Sequence, residues 1–347
     1  MSDSSLTAAA LTRRLRLSGA LPQGAVTGLR AEPEVETITS TLTFLTATYS
    51  ADAPAGLPRR LVVKTPRAEH GLGGDLVCHE VEFYRRLAPA LGVPPSVRCL
   101  AAVEEGEDDA GVIVLEDLRA THDHPPGPLP PSRGQCELAL DALAGLHARW
   151  WESPELGRTV GELHTPAGLT DMVRGIAGHL PAFFDAHGDA LNTEVRHVYE
   201  RVFNSRLLPW LRLAEPRALT VAHGDAHTGN VLFPRAGTGP AFLIDWQLWH
   251  LDLGARDLAF LMALHWYPSR RREFEPALLR YYHDGLLARG VGGYSFDELR
   301  DDYRRCVVRN LTLPLILWSR GTKPEGWWHR LECAVAAYRD LDCDELL

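Results

Sequence analysis

The sequence predicts an α+β protein with a small, strand-rich N-terminal part and a larger, helical C-terminal part. Before residue 117 the apolar residues recur mostly at strand spacing, and after residue 118 they recur mostly at helical spacing. Five prolines lie at this change of pattern, where they interrupt regular structure: Pro125, Pro126, Pro128, Pro130 and Pro131. We therefore predict an N-terminal domain over residues 1–117 and a C-terminal domain over residues 118–347.

In the N-terminal part, residues 37–49 are rich in threonine and other strand formers, and further strands are predicted at 60–64, 97–103 and 111–115. The main helix is predicted over 75–91, with a short helix at 4–17. In the C-terminal part, helical spacing covers 132–151, 169–187, 191–213, 253–266, 273–289 and 296–318, with Pro314 as an expected kink. Residues 231–233 and 241–245 are predicted to form a hairpin.

Composition restricts the possible functions. The chain has 347 residues, 45% of them hydrophobic and 23% charged, which is typical of a globular protein. No apolar stretch approaches the length that crosses a bilayer, and the six cysteines form no Cys-x-x-Cys pair, so we expect a cytoplasmic protein with reduced thiols and no membrane partner. The net charge of −9, without a long Lys/Arg block, argues against nucleic acid. An acidic surface could favour a cationic substrate, although solubility alone explains it more simply.

The most informative segment is residues 223–230, His-Gly-Asp-Ala-His-Thr-Gly-Asn, followed by an apolar stretch that ends at Asp245. This order suits phosphoryl transfer, in which one carboxylate accepts a hydroxyl proton while an amide and a second carboxylate hold magnesium. We predict Asp225 as the general base and Asn230 and Asp245 as ligands of Mg²⁺.

Three nearby residues are predicted to support this segment. His223 and His227 flank Asp225 and are expected to orient the loop backbone. Asp225-Ala-His227 also spells the Asp-x-His of some dinuclear phosphoesterases, but Val231 follows Asn230 where that alternative requires a histidine. Asp257 precedes an apolar helix, where it could be an ordinary N-terminal charge; we favour a support for the catalytic loop.

Lys64 ends the apolar strand at 60–64 and alone could be a solvated lysine. Glu80, however, shares a helix face with apolar residues, whereas Glu82 lies on the charged face. Because burying an unpaired carboxylate is costly, we predict that Glu80 pairs with Lys64 and holds it for ATP phosphates. The strand at 111–115 leads to Glu116 and Leu118, whose backbone could bind an adenine edge. A buried strand with a polar end explains that pattern equally well.

These motifs resemble the aminoglycoside phosphotransferase and choline kinase group of protein-kinase-like enzymes, and most closely its ecdysteroid-kinase-like branch. The matching segments are 62–64, 80–84, 115–118, 146–150, 223–230, 244–247 and 254–259. The resemblance implies a two-lobed kinase fold with a small antiparallel β lobe, ATP and Mg²⁺ as cofactors, and a small-molecule hydroxyl as acceptor. It assigns phosphate binding to Lys64 and assigns Glu80 as the partner of that lysine.

One departure concerns the loop over the phosphates, where the family usually has a glycine and residues 34–41 have none. We expect the hydroxyls of Thr39 and Ser40 to contact the phosphates instead. An alternative function is therefore a weak or inactive pseudokinase that binds nucleotide. A protein kinase is disfavoured, because Gly224 stands where an arginine would precede the base, and only eleven residues separate Asp245 from Asp257. We expect an antibiotic-like or other natural-product alcohol as the acceptor, and the sequence does not indicate whether there is a protein partner.

Overall fold

The structure is a computed structural model that describes residues 6–67, 73–105, 110–125 and 131–347. These residues form two compact units. The first comprises the described parts of Met1–His124 together with Leu232–Trp249, and the second comprises those of Pro125–Val231 and His250–Leu347. The chain thus leaves the first unit after His124 and returns to it for one short segment, Leu232–Trp249. The sequence analysis placed one boundary between residues 117 and 118 and did not predict this return. The assignment of the two predicted domains to separate functions stays a prediction.

The first unit contains a mostly antiparallel sheet in the order β1-β3-β4-β6-β5, with β2 pairing to β3. Its strands are β1 (Val26–Ala31), β2 (Val35–Glu36), β3 (Ser40–Tyr49), β4 (Arg60–Pro66), β5 (Cys99–Glu105) and β6 (Ala110–Glu116). Four of the six were predicted. The sequence analysis did not predict β1 and β2, and it started β3 three residues too early, because residues 37–39 form a turn instead.

Two helical segments pack against this sheet. Helix α1 (Ala8–Leu17) contributes Leu11 and Leu15 to an apolar cluster with the strands. The predicted main helix is continuous in helical conformation over residues 73–91, but it contains a π-helical turn. Its parts are α2 (Gly73–Glu82), the π turn (Phe83–Leu87) and α3 (Ala88–Leu91).

The second unit is mainly helical. Its helices are α4 (Arg133–Trp150), α5 (Pro166–Ala177), α6 (Leu180–His187), α7 (Thr193–Phe203), α8 (Leu208–Leu211), α9 (Ala255–Leu258), α10 (Pro268–Ala288), α11 (Phe296–Asn310), α12 (Thr312–Ser319) and α13 (Trp328–Asp340). A π-helical turn, Ala259–Ala263, continues α9. Three predicted helices are each divided in two. The break in the last of them lies at Leu311, and Pro314 lies within the first turn of α12, where a missing N–H is tolerated.

Short strands complete both units. In the second unit, β8 (Leu219–Ala222) pairs antiparallel with β11 (His250–Leu253). A three-stranded sheet has the order β10-β9-β7, formed by β7 (His122–Asp123), β9 (Val231–Pro234) and β10 (Phe242–Leu243). The sequence analysis missed β8 and β11, because four consecutive buried or nearly buried positions show no alternation.

The predicted α+β class is confirmed, with an antiparallel β-rich first unit and a helical second unit. Among the residues described, no helix combines the length and apolar character that a membrane span requires.

Candidate functional site

Lys64 lies on the face of β4 opposite the apolar cluster. Side chains alternate along a strand, and Leu61 and Val63 point into the cluster, so Lys64 points toward the other face. Its Nζ lies 2.5 Å from Glu80 Oε2 and 2.6 Å from Asp245 Oδ1. The structure therefore brings together three of the residues that the sequence analysis selected.

The charges of this group are unequal, because two carboxylates share one ammonium. Burial acts to lower the pKa of Lys64, but Glu80 and Asp245 outweigh it and raise that pKa above its ordinary value. Burial raises the pKa of Glu80, and the Lys64 ammonium opposes that rise. The Asp245 side chain is 39% exposed, whereas that of Glu80 is 1% exposed. Asp245 is therefore the carboxylate of this group that a ligand can reach.

The segment after Asp245 is fastened to α2. Asp245 itself has a left-handed backbone (φ 66°), which aspartate tolerates better than most residues. The Trp246 N–H donates to Glu80 Oε1 at 3.3 Å, and the Trp249 Nε1–H donates to the His79 carbonyl at 3.0 Å. The Trp249 indole also stacks on the His79 ring, with centroids 4.7 Å apart. These contacts, which the sequence analysis did not predict, fix Asp245 relative to Lys64.

The glycine-free turn before β3 is held by hydroxyl groups. The Thr37 hydroxyl accepts from the Ser40 N–H at 3.0 Å and donates to the Ser40 carbonyl at 2.9 Å. The Thr39 hydroxyl donates to Gln247 Oε1 at 2.8 Å, and Gln247 Nε2 donates to the Ser40 hydroxyl at 3.1 Å. Ser40 is fully buried. Gln247 therefore joins this turn to the segment that carries Asp245.

The end of β6 is fixed by a buried charge. Asp117 accepts hydrogen bonds from Arg60 and Arg119 at 3.0 Å each. Burial acts to raise the pKa of Asp117, but the hydrogen bonds from Arg119 and Arg60 hold it below its ordinary value. The Glu116 N–H donates to a neighbouring carbonyl, and the Leu118 carbonyl accepts two turn hydrogen bonds. No described residue of the first unit accepts from the Leu118 N–H.

The second unit contains the loop with Asp225 and Asn230. Gly224 precedes Asp225 with φ 82°, a left-handed conformation that favours glycine. Asn230 closes the loop, because its Nδ2 donates at 2.9 Å both to the Asp225 carbonyl and to Asp225 Oδ2. The carboxylate is thus held in a fixed position while 28% of the side chain stays exposed.

The two loop histidines contact the backbone. The Asp225 N–H donates to His223 Nδ1 at 3.3 Å, and the Gly229 N–H donates to His227 Nδ1 at 3.0 Å. The other ring nitrogen of His227 lies 3.6 Å from Asp225 Oδ2. These are the contacts expected of residues that orient a loop, and the predicted roles of the two histidines stay predictions.

Asp257 supports the loop from behind. Its carboxylate accepts from the backbone N–H groups of His223 at 2.7 Å and Gly224 at 2.9 Å, and from His147 Nε2 at 3.0 Å. Burial acts to raise the pKa of Asp257, but the hydrogen bond from His147 and the nearby histidines hold it below its ordinary value. The Tyr282 hydroxyl lies 2.7 Å from His147 Nδ1 and completes a buried chain of hydrogen bonds.

Gly254 leaves space for this chain. A Cβ at this position would collide with the Tyr282 hydroxyl and would lie 2.9 Å from His147 Nδ1. The sequence analysis placed Gly254 and His147 in matching motifs without a role for either. It did not identify Tyr282, because the pairing spans 135 residues of sequence.

The two predicted metal ligands, Asn230 and Asp245, belong to different units, and each keeps an oxygen that a ligand can use. Because Asn230 uses Nδ2 for Asp225, its Oδ1 is the amide atom left for a ligand. Asp245 uses Oδ1 for Lys64 and is partly exposed. Within the described ranges, no group of three or more His, Cys, Asp or Glu side chains could hold a metal ion by itself. Amide and carboxylate oxygens are donors that magnesium accepts. The joint role of these two residues as metal ligands stays a prediction.

Comparison with known proteins assigns the family. A family model described as the phosphotransferase enzyme family matches residues 44–294, which is most of the chain. None of the curated proteins compared with the sequence matches it. The predicted resemblance to aminoglycoside phosphotransferases is thereby confirmed at the level of the family.

Solved structures agree on the fold. A spectinomycin phosphotransferase in complex with ADP and spectinomycin is 14% identical, with 99% of this chain and 100% of that chain covered and a TM-score of 0.51. The GDP complex of an aminoglycoside 2'-phosphotransferase is 11% identical, with 96% and 99% covered and a TM-score of 0.54. A macrolide 2'-phosphotransferase from Brachybacterium faecium is 18% identical, with 94% and 97% covered and a TM-score of 0.51. At these identities the similarity shows the fold alone.

Proposed function

This chain belongs to the phosphotransferase enzyme family, and we propose that it transfers the γ-phosphate of ATP to a hydroxyl group of a small molecule. The predicted enzyme class, a small-molecule phosphotransferase, is confirmed by this membership. The nucleotide, the metal and the residue roles are part of the proposal.

The observation that carries the proposal is the position of Lys64. A buried ammonium 2.5 Å from Glu80 and 2.6 Å from an accessible carboxylate is already oriented for a polyphosphate. Upon nucleotide binding, Lys64 would exchange Asp245 for phosphate oxygens while Glu80 retains it. Asp245 would then be released to bind a cation.

Asn230 Oδ1 and the Asp245 carboxylate would hold Mg²⁺. When bound, this ion neutralises negative charge on the phosphates and on the leaving group. The oxygen donors of Asn230 and Asp245 suit magnesium, which retains several waters and binds few protein ligands.

Asp225 would act as the general base. The acceptor oxygen forms a bond to the γ-phosphorus as the bond from that phosphorus to the β–γ bridging oxygen breaks. Asp225 takes the hydroxyl proton, and ADP leaves with the electron pair. Asn230 holds Asp225 Oδ2 at 2.9 Å, so the carboxylate does not have to be ordered during the reaction.

The nucleotide base would bind at the end of β6. No described residue of the first unit accepts a hydrogen bond from the Leu118 N–H. This N–H could therefore donate to the adenine, with the Glu116 backbone beside it. Thr39 and Ser40 would contact the phosphates only after exchanging Gln247 for a phosphate oxygen. ADP and GDP complexes of similar structures are consistent with either nucleotide, and we propose ATP.

For the acceptor we propose a natural-product alcohol or an antibiotic-like compound. Spectinomycin is bound in one similar structure, and macrolide and aminoglycoside phosphotransferases share the fold. The finer assignment to the ecdysteroid-kinase-like branch, a cytoplasmic location and the lack of nucleic-acid and membrane partners remain predictions.

The test is an ADP-release screen of the purified full chain across a library of alcohols, with ATP or GTP, and with Mg²⁺ or a chelator. We expect release of the nucleoside diphosphate that requires both an alcohol and Mg²⁺, and that the Asp225→Asn variant loses. Nucleotide binding without alcohol-dependent release across the library would instead support the pseudokinase alternative and overturn the proposal.

A further inference from the structure

One arginine of α13, Arg330, has two specific contacts that fix its orientation. Arg330 Nε donates to His265 Nε2 at 3.3 Å, and its Nη1 donates to the Gly326 carbonyl. His265 can accept because its Nδ1 donates to the Phe260 carbonyl at 2.7 Å. Burial lowers the pKa of His265 to about 3, so its ring is neutral near pH 7 and its Nε2 carries a lone pair.

The Arg330 guanidinium forms no ion pair with a described residue of its own unit. In the described part of the second unit, no carboxylate forms an ion pair with Arg330, and no residue accepts a hydrogen bond from its Nη2. The side chain is nevertheless half-buried. Removing a cation from water without an anionic partner costs free energy, which a bound anion would recover.

The chain of contacts from Arg330 leads to Asp225. The rings of His265 and His227 have centroids 5.5 Å apart, and His227 Nε2 lies 3.6 Å from Asp225 Oδ2. Asp225 is also the carboxylate that acts on Arg330 electrostatically. Burial lowers the pKa of Arg330, and Asp225 acts in the opposite direction. The unpaired guanidinium therefore lies on the same side of this unit as the group proposed to deprotonate the acceptor.

An exposed aromatic ring packs against His329, the residue that precedes Arg330 in α13. His329 Nε2 donates to the His265 carbonyl at 3.1 Å, and the Tyr267 ring packs against His329 with centroids 4.8 Å apart. The Tyr267 side chain is 62% exposed, which is unusual for a ring of this size. Through His329 and His265, the exposed Tyr267 ring is connected with the two Nη2 donors and the positive charge of Arg330.

We propose that Arg330 binds an anionic group of the acceptor, so that the preferred acceptors are hydroxy acids rather than polyamines. This inference rests on the proposed function, since it assigns the acceptor of the same reaction. Tyr267 packs against the carbon skeleton of the acceptor, and His265 acts as a positioning residue that directs the guanidinium. A polycationic acceptor is repelled by Arg330, even though the chain as a whole has a net charge of −9.

The test uses a matched acceptor panel: hydroxy acids with aliphatic or aromatic skeletons, the methyl ester of each, and the amino alcohol in which an ammonium replaces the carboxylate. ADP release gives kcat and KM for the wild type, Arg330→Gln, Arg330→Lys and Arg320→Gln. The last variant makes the same change in charge at an exposed arginine outside the site. Calorimetry measures binding of the same panel without ATP.

We expect the wild type to prefer the acids, and Arg330→Gln to raise their KM by about 10- to 100-fold, which is the range for a hydrogen bond to a charged group. Arg330→Lys should recover part of the loss, while the esters and Arg320→Gln should show little change. A melting temperature equal to that of the wild type would show that Arg330→Gln folds. If this variant does not fold, the preference of the wild type for acids over amino alcohols alone tests the acceptor class.

The outcomes separate the two proposals. Alcohol-dependent ADP release with equal or better use of the amino alcohols overturns the acceptor class and leaves the proposed function intact. An equal loss of kcat for acids and esters in Arg330→Gln would assign the guanidinium to the transferred phosphoryl group and also overturn it. Acid-selective binding that Arg330→Gln abolishes, in the absence of any turnover, would support the acceptor class and contradict the proposed function.

Discussion

The residues around Lys64 (the first group) and those around Asp225 (the second group) are held in position by different kinds of contact. In the first unit, Lys64 is held by ion pairs to Glu80 and Asp245, which are also the residues proposed to act on the nucleotide. In the second unit, Asp225 is held by Asn230, and the loop backbone is held by a separate buried carboxylate, Asp257. Stability and function therefore depend on the same side chains in the first group and on different ones in the second.

The largest expected difference between the two groups is in the steady-state kinetics of single variants. Asp225→Asn should lower kcat by about 10²- to 10⁴-fold, the usual contribution of a general base, with little change in the KM for ATP. Lys64→Ala should raise the KM for ATP, lower kcat, or both, because it removes a phosphate contact. Steady-state kinetics at varied ATP concentration measure the difference, and an Asp225→Asn variant with full kcat would remove the base from this account.

The free energy of unfolding should change more for a variant of the first group than for a variant of the second group. Lys64→Ala leaves Glu80 buried and unpaired, which should lower the free energy of unfolding by about 3–5 kcal/mol. Asp225→Asn keeps a partner for Asn230 and should cost less than about 1 kcal/mol. Urea unfolding gives both values. The double variant Lys64→Met/Glu80→Leu should regain stability but not activity; if it stays as unstable as Lys64→Ala, the cost does not come from the unpaired carboxylate.

Packing behind the Asp225 loop can be tested with two glycines. Gly254→Ala should lower the free energy of unfolding by about 1–3 kcal/mol, because its Cβ would displace the Tyr282 and His147 side chains. The matched control is Gly175→Ala in α5, where a Cβ meets nothing within 4 Å. This control should stabilise by about 0.4–1 kcal/mol. Equal effects on both variants would show that the Tyr282–His147 pair does not limit space at Gly254.

Acid should affect the second group first. The pKa of Asp257 lies below its ordinary value, so its ionised form stabilises the fold at pH values above about 4. That stability should disappear as the pH falls through the pKa of the folded state, with a slope of at most about 1.4 kcal/mol per pH unit from this group. Urea unfolding at a series of pH values from 6 to 3 gives the free energy of unfolding as a function of pH. This free energy should fall less steeply with decreasing pH in Asp257→Asn than in the wild type, and an unchanged pH dependence would contradict the assignment.

The smallest effect on catalysis is expected at Gln247. Gln247→Ala removes the contacts to Thr39 and Ser40 and should cost about 1 kcal/mol per hydrogen bond lost. Because those hydroxyls become available, the KM for ATP should change more than kcat does. A kinetic analysis at saturating acceptor checks this. A pure kcat effect would argue against any role of the turn in binding nucleotide.

Short-range patterns predicted much of the fold and of the candidate site. A short apolar strand placed Lys64 at its end, helical spacing placed Glu80 on a buried face, and one octapeptide contained Asp225 and Asn230. Residues whose partners are distant in sequence were not found. Their side chains acquire a role only through tertiary contacts, which a single sequence does not reveal: Gln247, Tyr282, Arg330 and the paired strands β8 and β11.

The most direct test of the central claim is ³¹P NMR of the reaction products from ATP, Mg²⁺ and an acceptor found by the ADP-release screen. The account predicts a new phosphate monoester resonance on the acceptor, formed together with ADP by the wild type and nearly absent with Asp225→Asn. ADP accompanied only by inorganic phosphate, or the same ester yield from both proteins, would contradict it.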